Sequence, residues 1–146
     1  MSKTHLSLGR LILQLALGLF LAISGIWVLA GFGNWSWVSG GDAGAAAIKS
    51  IIQNRTLENI LVISYGVVEL IAGIFLILSL FIGDVFGAFG NVLHIIIMIV
   101  WIVAIVLIDF LSSSNGISLL RNSFLKWLYQ VATHLIILGA LIYLKD

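Results

Sequence analysis

The sequence predicts an all-α, polytopic membrane protein built as a bundle of four transmembrane helices. Three observations carry that reading. Of 146 residues, 62% are hydrophobic and 9% charged, where a soluble domain carries about a quarter charged. The mean hydropathy of +1.22 is more apolar surface than a core of this length can hide. The apolar residues also gather into four runs, each near the roughly 20 residues that a helix needs to cross a bilayer. The net charge of +1 offers no electrostatic footprint for nucleic acid. With no cysteine in the chain, disulfides, thiol catalysis and cysteine-held metals are excluded within it.

The first span covers residues 10–32, "RLILQLALGLFLAISGIWVLAGF". Lys3 and Arg10 precede or open it, as in a signal peptide. The apolar run is too long for a typical signal core, however, and no small-x-small cleavage site follows, so an uncleaved helix is expected. A polar, glycine-rich connection fills 33–58, and its Trp35 and Trp37 suit the membrane–water boundary. Within it, Ala45 to Gln53 reads either as a short interfacial helix with Ile48, Ile51 and Ile52 on one side or as a plain surface loop. The second span covers 59–82 and the third 86–110. The few residues between them make these two spans antiparallel neighbours. "SSSNG" then gives a polar turn, and Asn122 or Ser123 can cap the fourth span, 124–144. The whole chain, 1–146, reads as a single membrane domain.

Four spans place both termini on one side. That side carries Lys3, Arg10 and Lys145, and the other carries Lys49, Arg55, Arg121 and Lys126. The count is nearly balanced, and the basic pair at the first span tips the termini toward the cytoplasm.

Apolar periodicity cannot orient these helices, because lipid and bundle interior are both apolar. Small and polar residues carry the signal, since they mark close packing and interhelical hydrogen bonds. The first span shows Gln14, Gly18, Ala22 and Gly25; the second shows Tyr65, Glu69 and Gly73, with Ala72 beside them. In the third they are Gly83, Gly87, Asn91, His94 and Met98, and in the fourth Lys126, Gln130 and His134, with Thr133 adjacent. Each set steps by three or four, hence along one helix face. Gly73 and Gly87 are therefore expected to face other helices.

Glu69 is the sharpest feature. Its surroundings, "SYGVVELIAGIFLILSLF", are nearly pure hydrocarbon, and an ionised acid facing lipid is costly. It must be neutral or meet a partner. Counted from the expected helix starts, Glu69 and His134 each lie ten residues deep from the same side, about 15 Å. His94 lies about 12 Å from the other. All three fall near the midplane of a hydrocarbon core about 30 Å thick. A cluster of Glu69, His94 and His134 is expected, with Glu69 bonded to His134 or otherwise to His94, and with Gln14, Tyr65, Asn91, Gln130 and Thr133 in support. Such a pair can share or relay a proton, or act only as a structural hydrogen bond.

The segments "GRLILQLALGLFLAISGIWVLAGFGN" and "GVVELIAGIFLILSLF" resemble the DoxX family of small four-helix membrane proteins. The sharpest match is Gly66-x-x-Glu69-x-x-x-Gly73 in the second span. The resemblance implies an integral protein of the prokaryotic cytoplasmic membrane, associated in some relatives with quinone-linked redox complexes. It carries over no enzymatic activity.

Three functions compete at this level. One is an accessory or quinone-interacting subunit of a membrane redox complex, since a quinone head needs hydrogen-bond partners and a proton source in an apolar cleft. Another is a small transporter or channel subunit, because intramembrane ionisable residues mark pathways. That reading needs a homo-oligomer. The third is a structural partner docking a larger membrane protein through its glycine stripes. No cofactor is assigned by this pattern with certainty; a quinone fits it best, with haem held by His94 and His134 as the weaker alternative. Two histidines at similar depth are too weak a pattern to assign haem, and no metal site is assigned.

Overall fold

The computed structural model describes residues 8–33, 43–82, 87–112 and 116–145. Lys3, Trp35, Trp37 and Gly83 lie outside the described residues. The described residues are almost all helical and contain no strand. In chain order the elements are α1 (Leu8–Gly33), α2 (Ala43–Ile51), α3 (Arg55–Ile82), α4 (Gly87–Ile105), a π-helical segment (Val106–Leu111), α5 (Ile117–Asn122) and α6 (Phe124–Lys145). Four of the helical stretches are long and apolar enough to cross a membrane: Leu8–Gly31, Arg55–Ile82, Gly87–Leu111 and Phe124–Lys145. The protein is an all-α polytopic bundle. Large apolar side chains such as Ile71, Ile99 and Ile136 stand on its outer surface, where lipid replaces water as the solvent.

The ends of these helices follow from local chemistry. α3 starts at Arg55, four residues before the expected Asn59. Asn54 explains the difference, since its side-chain Oδ1 accepts from the Thr56 and Leu57 amides at 3.0 and 3.3 Å, as an N-cap does. Glu58 sits in the first turn, where the helix dipole favours an acid. At the start of α6, Ser123 holds the cap position, its carbonyl accepting from Trp127 N–H at 3.1 Å. Ahead of it the chain forms the short helix α5, over residues to which the sequence assigns no element.

α1 and α3 form the tightest contact. A side-chain carbon added at Gly25 would lie 2.5 Å from the Leu70 nitrogen, and one at Gly18 would lie 3.1 Å from the Gly73 carbonyl oxygen. Gly66 meets Val28, and Gly73 meets the backbone of Ala22 and Gly18. The pairs Gly18–Gly73 and Gly25–Gly66 fit one antiparallel register. Both glycines of the Gly66-x-x-Glu69-x-x-x-Gly73 pattern thus serve one seam, in which small residues let two backbones meet.

α4 and α6 are also antiparallel, and side chains of α4 reach α6 carbonyls along their length. The His94 Nε2 and the Leu141 carbonyl are 2.6 Å apart, and Trp101 Nε1 donates to the His134 carbonyl at 3.3 Å. A core of Leu17, Leu21, Leu76, Trp101, Ile105 and Leu141 joins the two helix pairs. At one end Arg10 donates to the Leu144 carbonyl at 2.9 Å, so the start of α1 meets the end of α6.

α3 and α4, joined by a short connection, do pack against each other, but α3 packs mainly on α1, and α2 is wedged against α3 and the π-helical segment. The short helix expected within the 33–58 connection is present as α2, and it packs into the bundle through one face. Its Ala45, Ala47 and Ile48 are buried, and its Gly44 lies on the ring of Tyr65, about 15 Å into α3. Alanines favour the helix and keep that face thin enough to insert. Gly87 meets no other helix. It has open space around it and a φ of +42°, so it serves the backbone at the start of α4.

Candidate functional site

Glu69 is buried at 2% exposure, and each carboxyl oxygen is met by a hydroxyl. Tyr65, one helical turn earlier, donates to Oε1 at 2.7 Å, and Ser24 of α1 donates to Oε2 at 2.8 Å. The seam explains the second bond. Gly66 and Gly73 bring α1 against α3 on both sides of Glu69, so a side chain as short as serine can span the gap. The pattern that drew attention in the sequence is a carboxyl held between two close-approach glycines.

Beside this group lies an apolar cleft of about 380 Å³, between α2, α3, α4 and the π-helical segment. Its walls include Ile48, Leu61, Val68, Val103 and Ile108, and among its lining residues only Ser64 and Tyr65 have polar side chains. Tyr65 belongs to both places. It lines the cleft while its hydroxyl holds Glu69. Gly44 makes this arrangement possible, since a Cβ there would lie 2.5 Å from the Tyr65 hydroxyl oxygen.

The single cluster of Glu69, His94 and His134 does not form. His134 Nδ1 lies 2.9 Å from both carboxyl oxygens of Asp109, and His94 bonds the Leu141 carbonyl. Depth along a helix gives height and not the face a side chain takes. Glu69 faces α1, while both histidines lie between α4 and α6. The earlier start of α3 also lowers Glu69 to about 21 Å from that end, against about 15 Å for His134. Among the described residues no group of three His, Asp or Glu side chains converges as a metal site would need.

The supporting residues divide. Tyr65 joins Glu69 as described, and Gln130 Nε2 donates to Asp109 Oδ1 at 2.7 Å. Gln14 reaches across the seam to the Leu76 carbonyl at 3.0 Å and Ser79 Oγ at 2.6 Å. Thr133 bonds back to the Tyr129 carbonyl of its own helix, a local bond of the sort that hydroxyls make inside helices. Asn91 is exposed, so it belongs to no interior stripe.

Asp109 is the residue that the sequence reading passes over. It is fully buried, at 0% exposure, and its backbone carbonyl accepts from Trp127 Nε1 at 2.9 Å. Placed at the end of the third span, it reads as a boundary acid. The available signal was the apolar pair Phe110-Leu111 that follows it, which keeps the acid inside the apolar run.

Fold and site together define a polytopic α-helical membrane protein with two separate intramembrane carboxyl groups, one of them one hydroxyl away from an apolar cleft. No family model, curated protein or solved structure matches the chain.

Proposed function

We propose that this chain is a quinone-interacting, accessory subunit of a membrane redox complex, in keeping with its DoxX-like pattern. One observation carries the reading: Tyr65 joins an apolar cleft to a sealed carboxyl. A cleft of this volume is in the range of small-ligand sites, and its hydrocarbon walls suit an isoprenoid chain. A quinone supplies two-electron, two-proton chemistry when bound, with the electrons exchanged through a partner redox subunit. The chain's own part is in proton handling. With Glu69 protonated, the Tyr65 hydroxyl can turn toward an oxygen in the cleft, pass its proton there and take the one Glu69 carries, leaving a carboxylate that accepts from both hydroxyls; this moves one of the two protons, and the reverse transfer, on oxidation of the quinol, reloads Glu69. Ser24 keeps the carboxyl oriented meanwhile. Burial excludes water from the exchange and keeps the proton on this one route.

The same reading places the protein in a prokaryotic cytoplasmic membrane, with both termini on the cytoplasmic side and a membrane-protein partner. Purification from native membranes in mild detergent, followed by solvent extraction, tests it. Quinone should copurify near one per chain, and Tyr65→Phe, which keeps the ring and removes the hydroxyl, should retain quinone and lose proton-linked turnover. Extracts without quinone, together with no binding of a short-chain benzoquinone, would leave the chain as a structural partner only.

A further inference from the structure

Ser64 lines the cleft without contributing a side-chain bond to the fold. It lies nine residues past the start of α3 at Arg55, about 14 Å along the helix, where the chain already runs through hydrocarbon. Other hydroxyls inside the spans are engaged. Ser24 donates to Glu69, Ser79 to the Leu76 carbonyl and Thr133 to the Tyr129 carbonyl. Among the described residues no group bonds the Ser64 hydroxyl. An unbonded hydroxyl is costly in an apolar medium, and Ser64 lacks even the backbone bond to its own helix by which serines commonly avoid that cost.

The cleft has a floor and a mouth. Gly44 and Ile48 of α2, Ala104 of α4 and Ile108 of the π-helical segment are buried on its inner side. Leu61 and Ser64 of α3, with Ile99 and Val103 of α4, are exposed and form its rim. The cleft therefore opens sideways between α3 and α4, onto the surface that meets lipid, and an apolar molecule reaches it from the bilayer. Its two polar side chains stand at different levels. Tyr65 is half-buried, and its hydroxyl is engaged by Glu69. Ser64 precedes it, about 100° round the helix, and its hydroxyl stands free at the rim. While Tyr65 holds Glu69, Ser64 is the side chain that the cleft offers to an incoming oxygen.

We propose that Ser64 anchors the ligand of this cleft: its hydroxyl bonds an oxygen of an amphiphile drawn from the lipid, and Tyr65 is left to handle the proton. The identity of that amphiphile as a quinone rests on the function proposed above; the anchor rests on the cleft and its free hydroxyl. Binding and proton transfer then belong to two different side chains and can be separated. Because Ser64 supports no other group, its replacement by alanine removes the ligand's bond and leaves the fold as it is.

Calorimetric titration of the full chain in detergent tests this, with a decyl-substituted benzoquinone and with decylbenzene, which keeps ring and tail but has no oxygen. Ser64→Ala should melt with the parent, bind the quinone roughly three- to tenfold more weakly, as the loss of one hydrogen bond implies, and bind decylbenzene as the parent does. Ser64→Thr, which keeps the hydroxyl, should restore the quinone affinity. Tyr65→Phe should match the parent in affinity, since the hydroxyl it lacks is held by Glu69. Equal quinone affinity in the parent and Ser64→Ala, a loss that Ser64→Thr shares, or a lowered melting temperature in Ser64→Ala overturns the anchor and leaves the quinone reading standing. If the parent binds no benzoquinone, the quinone reading falls, and decylphenol, with a single oxygen, replaces the quinone in the same comparison. A three- to tenfold loss in Ser64→Ala then supports the anchor; no binding of the phenol, or equal binding by the parent and Ser64→Ala, overturns it as well.

Discussion

Substituting alanine for Gly25 probes the seam that positions Glu69. The added Cβ would lie 2.5 Å from the Leu70 nitrogen, a backbone atom that cannot swing aside. Ordinary contact begins near 3.4 Å, so α1 must withdraw from α3 by about 0.9 Å at this level. Ser24 is the preceding residue, and its 2.8 Å bond to Glu69 would stretch to about 3.7 Å, beyond hydrogen-bonding distance. The cost combines overpacking, about 1–3 kcal/mol, with a buried carboxyl oxygen losing its donor, about 1–3 kcal/mol. A total of roughly 2–6 kcal/mol follows. Reversible unfolding in mixed detergent micelles, followed by tryptophan fluorescence, measures it. The sharper test is a double-mutant cycle with Ser24→Ala. That substitution should cost about 1–2 kcal/mol in the parent and close to nothing beside Gly25→Ala, because the bond is already lost. If Gly25→Ala changes stability by less than about 0.5 kcal/mol, or the two costs simply add, then glycine contact does not position Glu69.

Other expectations follow from the same geometry. Glu69→Gln should remain folded, since an amide can still meet both hydroxyls, whereas Glu69→Leu removes the group that Ser24 and Tyr65 both donate to and should cost about 2 kcal/mol more in the same unfolding assay. Asp109→Leu should destabilise by about 3–5 kcal/mol, as breaking a buried pair does; Asp109→Asn should cost markedly less by thermal melting. Gly73→Leu should prevent accumulation in the membrane, its side chain meeting the α1 backbone. Gly87→Asn should be nearly neutral by the same expression assay, because the site is open and asparagine tolerates a positive φ. Tags at the two termini should report on the same side of the membrane, and opposite sides would refute the four-span topology.

What the sequence alone determined was set by the solvent. Four apolar runs of spanning length set the number of spanning helices, because backbone polar groups in a bilayer must be satisfied within each segment. The special standing of Glu69 was equally legible, since an acid amid hydrocarbon needs a reason wherever it points. So was the role of Gly73, whose spacing from Gly66 and Glu69 marks one helix face. Partners were decided only in three dimensions. Counting along a helix gives depth, so Glu69 and His134 looked like a pair; the α1–α3 seam turns one toward Ser24, and the α4–α6 contact gives the other to Asp109. Asp109 itself looked like a boundary residue until the π-helical turn drew it into the bundle. Neither fact has a local cause. In lipid every outward face is apolar, so no periodicity distinguishes inside from outside, and the choice of partner rests on which backbones approach closely enough for short polar side chains to meet.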